Sequence, residues 1–222
     1  MQYHPPCPAD DECLLYLIRH GATENNLAKP AVLQGRGLDS PLSAQGRAEA
    51  EATAAALERH PISAVYASPL LRARQTAELI AAPHGAAADV VDALVEADVG
   101  QWEGRTWQDI RKAHAEAYAR FMEDPGKHSY VGGENLTDVQ QRVVPVLEDL
   151  LSRHPGGVIV AVAHNVVNRA FLAHLLNLPL AAARGIRQDN CGLNLIRRRG
   201  EQSTLVTVNS VFHLPLQVVG RR

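Results

Sequence analysis

The chain has 222 residues, 46% of them hydrophobic, enough for one substantial core and not for two. A formal net charge of −2 offers no general basic field for nucleic acid, and three cysteines are too few and too scattered for a disulfide framework or a thiolate metal cage. No apolar stretch approaches the ~20 residues that span a bilayer. The expected setting is therefore a reduced, cytoplasmic one, with no membrane or nucleic-acid partner and no metal.

Met1 to Glu12 is Pro-rich and acidic, has no basic start or apolar block, and reads as a loose leader rather than a secretory signal. Leu14 to Ile18 reads as the first strand. Ser43 to Arg59 predicts a helix with an Ala-rich body and Ser43 as its N-cap. Ala64 to Ala67 is a short strand, and Ser68-Pro69 opens a helix to about Ala82 in the cap-then-proline order that favours helix starts. Asp89 to Val95 is strand-like and ends near Glu96. A helical region follows from Thr106 to about Met122. After the break at Asp124-Pro125-Gly126, Asn135 or Thr137 starts a helix reaching about Arg153. Gly157 to Ala163 is a continuous β-branched and Ala run, as in a strand buried on both faces, and it ends at His164 before a helix to about Leu176. Leu193 to Ile196 and Thr204 to Val208, split by an Arg-Arg-Arg-Gly turn, read as a terminal hairpin. Apolar runs alternating with helices predict an α/β fold: a three-layer α/β/α sandwich on a mostly parallel sheet. No repeat or linker divides it, so residues 13–222 are expected to form one domain, with a lid segment at about 97–134.

Polar residues fall where these elements begin or end. Arg19 and His20 follow the first strand, in the run Leu17-Ile18-Arg19-His20-Gly21-Ala22-Thr23-Glu24-Asn25-Asn26. Arg72 falls in the first turn of its helix, where free N–H groups and the positive dipole end already favour an anion. Glu96 and His164 close two further strands. In an open parallel sheet such ends share one edge, which lets distant residues converge. An imidazole there can attack phosphorus, and a guanidinium can hold phosphate through paired, charge-assisted hydrogen bonds. Taken singly each residue is ordinary: a core histidine, a solvated arginine, a surface carboxylate. Their joint order is not.

With these motifs in order, the chain resembles the histidine phosphatase superfamily in its phosphoglycerate-mutase-like branch, from Leu14 to about Leu214. The resemblance rests on Arg19-His20-Gly21 with Asn26, on Gln34-Gly35, on Asp39-Ser40-Pro41-Leu42-Ser43 with Gly46, and on Ser68-Pro69-Leu70-Leu71-Arg72-Ala73-Arg74-Gln75-Thr76-Ala77. It continues through Leu94, Glu96, Gly100 and Trp102-Glu103-Gly104, then Gly132-Gly133-Glu134-Asn135, His164, and Asn209 with His213-Leu214. One position departs from the pattern. The second histidine is often followed by Gly in this family, whereas Asn165 stands here and offers a side-chain donor.

The resemblance implies a phosphomonoester hydrolase of the histidine acid phosphatase type, working without cofactor or metal on a small-molecule phosphate ester. His20 would be the nucleophile that becomes phosphohistidine, and Glu96 the acid that protonates the leaving alkoxide and then the base for water. Arg19, Asn26, Arg72, a protonated His164 and Asn165 would hold the phosphate oxygens. Two alternatives stay open: a cofactor-dependent phosphoglycerate mutase, and a catalytically silent phosphate-binding module. The mutases carry a longer insertion with adjacent basic residues after the acid. Here Arg105, Arg111, Lys112, Arg120 and Lys127 are interleaved with acids, which argues for hydrolysis. Trp102, Trp107, Tyr118, Phe121 and Tyr130, half of the aromatics, also lie in this interval, either anchoring the lid or walling the substrate's alcohol portion. The sequence leaves open the natural substrate and the oligomeric state, a homodimer included.

Overall fold

A computed structural model describes residues 7–215. The elements in chain order are β1 (Glu12–Arg19), α1 (Glu24–Leu27), α2 (Ala44–Leu57), β2 (Ile62–Ala67), α3 (Leu71–Ala81), β3 (Ala88–Val90), α4 (Trp107–Ala113), α5 (Ala115–Glu123), α6 (Leu136–Arg153), β4 (Val158–Ala163), α7 (Asn165–Leu175), β5 (Leu193–Arg199) and β6 (Gln202–Ser210). The strands form one six-stranded sheet in the order β3-β2-β4-β1-β5-β6. The first four in that order are mutually parallel, and β5 and β6 complete it antiparallel.

The three layers follow from side-chain alternation along the central strands. Leu15 and Leu17 of β1, with Ile159 and Ala161 of β4, pack against residues of α6 and α7 such as Val143, Leu147 and Phe171. Leu14, Tyr16 and Ile18, with Val158, Val160 and Val162, pack on the other face against Leu57 of α2 and Ala73, Ala77 and Ile80 of α3. Every residue of β4 is buried, as a strand covered on both faces requires. This is the expected α/β/α sandwich with a mostly parallel sheet.

Several boundaries differ from the sequence expectation. β1 begins at Glu12, so the leader gives up its last residue to the sheet; Glu12 pairs with Arg199 and neighbouring Asp11 makes an ion pair with the same arginine. Residues 1–6 of the expected leader and 216–222 of the expected domain lie outside the described residues. The strand expected to run to Val95 stops at Val90. Among the described residues its only partner is β2, whose ladder ends at Ala67 opposite Val90, so Asp92–Leu94 turn into a 3-10 helix instead. The helix expected over 106–122 is two helices, broken at His114. Arg197, Arg198 and Arg199 belong to β5 rather than to the hairpin turn, which is made at Gly200 and Glu201. Ser68 does not cap α3: Leu70 holds that position, with no side-chain cap.

Candidate active site

The convergence at the sheet edge is a continuation of strand register. Arg19 lies opposite Ala163, and Ala67 opposite Val162. One residue further on, the His20 N–H still donates to Ala163 O at 3.0 Å and the Ser68 N–H to Val162 O at 2.9 Å. His20, Ser68 and His164 therefore emerge side by side from three parallel strands. The His20 and His164 rings lie 5.1 Å apart, centre to centre, tilted by 58°. Ser68 Oγ meets His164 Nε2 at 2.6 Å and also accepts from the Leu70 N–H at 3.4 Å, just ahead of α3.

The tautomer of His20 is set by its neighbours. Gly21 O can only accept, so Nδ1, at 2.7 Å from it, carries the proton. Arg72 Nε can only donate, so Nε2, at 3.2 Å, is the acceptor. The nitrogen that bears the lone pair is thereby held beside a guanidinium. Arg72 is itself gripped through Nη1 by Leu38 O at 2.8 Å and through Nη2 by Gly35 O at 3.0 Å. That loop is held in turn by Glu103, which accepts from the Gly35 and Gly37 N–H groups at 2.6 and 3.0 Å. Asn190 donates to His20 O from a buried polar run before β5, and Arg19 Nη1 donates to Gln188 O in the same run.

Burial pushes the His20 imidazole well below its ordinary pKa, and Arg72 and then Arg19 push the same way. Burial lowers His164 well below its ordinary value too, helped by Arg72, His20, Arg19 and Arg142. Both rings are thus neutral in the protein alone. His164 Nδ1 is buried with no hydrogen-bond partner among the described residues, an unsatisfied nitrogen in the midst of the cluster.

A cavity of about 160 Å³ opens beside His20, lined also by Arg19, Asn26, Gln34, Glu96 and Asn165. Glu96 reaches it from a loop, not from a strand end. Its Oε1 accepts from the Ala97 N–H at 2.9 Å and its Oε2 from the Val166 N–H at 3.2 Å. The loop is fixed by Arg142 of α6, which donates to Ala93 O and Glu96 O and pairs with Glu134. Asn26 uses Oδ1 to accept from the Thr23 N–H at 3.0 Å in the capping box of α1, which leaves its amide donor for the cavity it lines. Asn165 starts α7, and its buried Oδ1 has no hydrogen-bond partner among the described residues. Arg72 and His164, at 1% and 0% exposed, do not line the cavity wall and join the cluster through their contacts with His20. All seven expected residues thus meet at one place, in two tiers.

What the sequence expectation lacked is the scaffold behind them. Glu103 and Glu134 stood in quoted motifs without a role, and Ser68 stood there as a helix cap. The run Gln188, Asn190 and Asn194 had one faint signal: several amides where a strand was about to begin. Among the aromatics, Trp102, Phe121 and Tyr130 are buried against one another, with ring centres 4.4 to 5.6 Å apart, and tie residues 97–134 to the core. Trp107 is 39% exposed and lines the cavity. Among the described residues no cluster of His, Cys, Asp and Glu is arranged to hold a metal ion.

Residues 15–211 match the model of the histidine phosphatase superfamily, branch 1. The chain is 31% identical over 200 residues to phosphoserine phosphatase 1 of Hydrogenobacter thermophilus, covering 90% of this chain and 93% of that protein. Among solved structures it is similar to YhfR of Bacillus stearothermophilus, with a TM-score of 0.85 and 29% identity over 91% of this chain and all of the other. A phosphoserine phosphatase of Entamoeba histolytica, solved with 3-phosphoglyceric acid, gives a TM-score of 0.81 and 27% identity, again over 91% of this chain and all of the other. The chain belongs to the histidine phosphatase superfamily.

Proposed function

We propose that this member of the superfamily hydrolyses small phosphomonoesters through a phosphohistidine on His20. The observation that carries the reading is the fixed tautomer: a neutral imidazole whose Nε2 lone pair is held by Arg72 at the edge of a phosphate-sized cavity. The relatives named as phosphoserine phosphatases support hydrolysis.

In the first step Nε2 attacks phosphorus in line and the ester P–O bond breaks. An alkoxide is a poor leaving group, so Glu96 delivers a proton to the departing oxygen. In the second step water attacks the phosphohistidine, giving its proton to the Glu96 carboxylate, and the P–N bond breaks to restore the Nε2 lone pair. Both backbone N–H bonds to Glu96 fix the direction from which it acts. Charge accumulates on the equatorial oxygens, where Arg19, Arg72 and the donors of Asn26 and Asn165 are at hand. His164 is neutral until an anion arrives. A phosphate dianion seated against His20, whose ring centre is 5.1 Å from that of His164, opposes the burial and arginine effects, so His164 takes up its proton together with the substrate.

The finer description as an acid-phosphatase-type enzyme rests on this pairing of nucleophile, acid and arginines. Residues 97–134 act as the lid of a single domain, a reading supported by their aromatic anchor on the core. A cytoplasmic setting is in keeping with three free cysteines. Among the described residues no helix is long and apolar enough to cross a membrane.

The test is His20→Ala. It should abolish turnover of an aryl phosphate and the acid-labile phosphoenzyme seen after rapid quenching. Phosphate release persisting in this variant would remove His20 from the nucleophile's place.

A further inference from the structure

Glu103 does not line the catalytic cavity, yet three hydrogen bonds in series lead from its carboxylate to the nucleophile. Oε1 accepts from the Gly35 N–H at 2.6 Å, Gly35 O accepts from Arg72 Nη2 at 3.0 Å, and Arg72 Nε donates to His20 Nε2 at 3.2 Å. A second path runs beside the first. Oε2 accepts from the Gly37 N–H at 3.0 Å, and the carbonyl of the next residue, Leu38, accepts from Arg72 Nη1 at 2.8 Å.

The loop between these contacts has little else to fix it. Residues 33–38 belong to no helix or strand. Their backbone bonds run from the Leu33 N–H to Arg105 O, from the Arg36 N–H to Ala97 O and from the Gly104 N–H to Leu33 O. Among the described residues, 37–42 make no backbone–backbone hydrogen bond. Gln34 Nε2 gives Leu38 O a second donor at 3.1 Å. The Arg36–Asp98 ion pair crosses the same seam, but its arginine side chain is 50% exposed and such pairs add little.

Apart from Gln34, these partners all come from residues 97–105. Glu103 follows Trp102, whose buried ring packs edge-on against Phe121 and Tyr130 with centres 5.3 and 5.6 Å away. The carboxylate is thus delivered from a fixed point. Its charge acts in the same sense as its bonds: burial works against the charge on Arg72, while Glu96, Asp39 and Glu103 favour it. A guanidinium that presents one nitrogen to a nucleophile and others to phosphate depends on how its plane is held.

We infer that Glu103 is a positioning residue for the reaction, its carboxylate setting the loop whose carbonyls aim Arg72 at His20 and at the phosphate. The inference rests on the phosphomonoesterase reading for what Arg72 then does. It ties the seating of residues 97–134 to the aim of the arginine.

A double-mutant cycle tests it. Glu103→Ala should lower kcat/KM on an aryl phosphate by about 10- to 100-fold, the cost of a small misplacement at a reacting centre. Glu103→Gln keeps one acceptor oxygen for the Gly35 N–H and should recover part of that loss. In the Arg72→Lys background the fork that Glu103 aims is already gone, so Glu103→Ala should cost about threefold or less there. A loss that multiplies in full would place the action of Glu103 elsewhere and overturn the inference. So would a Glu103→Ala protein with a lowered urea midpoint and native kcat/KM, the mark of a brace for stability alone. Should Glu103→Ala fail to fold, the cycle is run with Glu103→Gln and read in the same way. A second arm needs no turnover: Kd for inorganic phosphate is measured by calorimetry on the same set of proteins. A native chain that binds phosphate but hydrolyses no ester would sink the enzyme reading. Weaker binding in Glu103→Ala, with no further weakening in the Arg72→Lys background, would then keep the positioning role. Equal phosphate affinity in the native and Glu103→Ala proteins would sink that role as well.

Discussion

Arg72 Nε lies 3.2 Å from His20 Nε2, and both side chains are almost wholly withdrawn from solvent. The arginine makes this contact while its two terminal nitrogens are held by Leu38 O and Gly35 O. Its planar fork is thus oriented on three sides, which an ammonium cannot reproduce. Arg72→Lys keeps the charge and loses the geometry. We expect kcat/KM to fall by about 10²–10³, on the order of 3–4 kcal/mol of transition-state stabilisation, with the circular dichroism spectrum retained. A lysine variant within threefold of the native chain would show that charge alone is enough.

Glu96 separates the two halves of the reaction by what it does to different alcohols. Glu96→Gln should slow alkyl phosphates, whose alkoxides need a proton, by about 10²–10⁴. An activated aryl phosphate should suffer far less in its first step, and phosphohistidine should accumulate because its hydrolysis still needs a base. Stopped-flow kinetics with both ester types checks this. Equal losses on both, without accumulation, would count against Glu96 as the acid.

The reacting residues were legible along the chain because each stands at an element boundary that the hydrophobic pattern marks. Arg19 and His20 end one apolar run and His164 another, and parallel register brings such ends together. Glu96 was legible by motif and misplaced by pattern: Val90, Val91 and Val95 look strand-like, but no partner strand extends far enough to pair them. The scaffold was not legible, because it is made of long-range contacts between polar residues with no periodicity. Glu103 reaches back 68 positions to Gly35, and Asn190 reaches back 170 to His20.

Two buried neutral imidazoles make stability depend on acid. The folded-state pKa of His20 and of His164 lies below the ordinary value of 6.5. Below about pH 6.5 the unfolded chain takes up protons that the native state does not, so stability falls as pH falls. Above that value their contribution is fully present and flat. Each such histidine gives a slope of up to about 1.4 kcal/mol per pH unit. His60, His84, His154 and His213 are lowered as well and act in the same direction. Urea midpoints at pH 7.5, 6.5 and 5.5 should be level over the first interval and drop over the second. The drop should shrink in His20→Asn/His164→Asn. A midpoint that rises on acidification would contradict the neutral assignment of both rings.

The loop that follows His20 is pressed against the first turn of α2, and the contact is backbone on backbone. A Cβ added at Gly46 would lie 1.9 Å from Ala22 O and 2.5 Å from Ala22 N; one added at Gly21 would lie 2.3 Å from Gly46 O. The same loop is fastened by the Ser43 N–H and hydroxyl, both donating to Ala22 O at 2.9 Å, and by Glu49, which accepts from the Ala22 N–H at 2.8 Å. No flexible side chain can give way there, so Gly46→Ala must move either α2 or the loop. Overpacking of this kind costs typically about 1–3 kcal/mol, and the loop is the less anchored partner because α2 is packed through Ala50, Ala54 and Leu57. Displacing Ala22 displaces Gly21, whose carbonyl fixes the proton on His20 Nδ1. Gly46→Ala should therefore lower kcat by more than its loss of stability accounts for, with native protein still fully folded at 25 °C. Parallel measurement of the urea midpoint and of kcat on an aryl phosphate decides the matter: a folded variant with native kcat would mean that the loop tolerates the shift without moving the nucleophile.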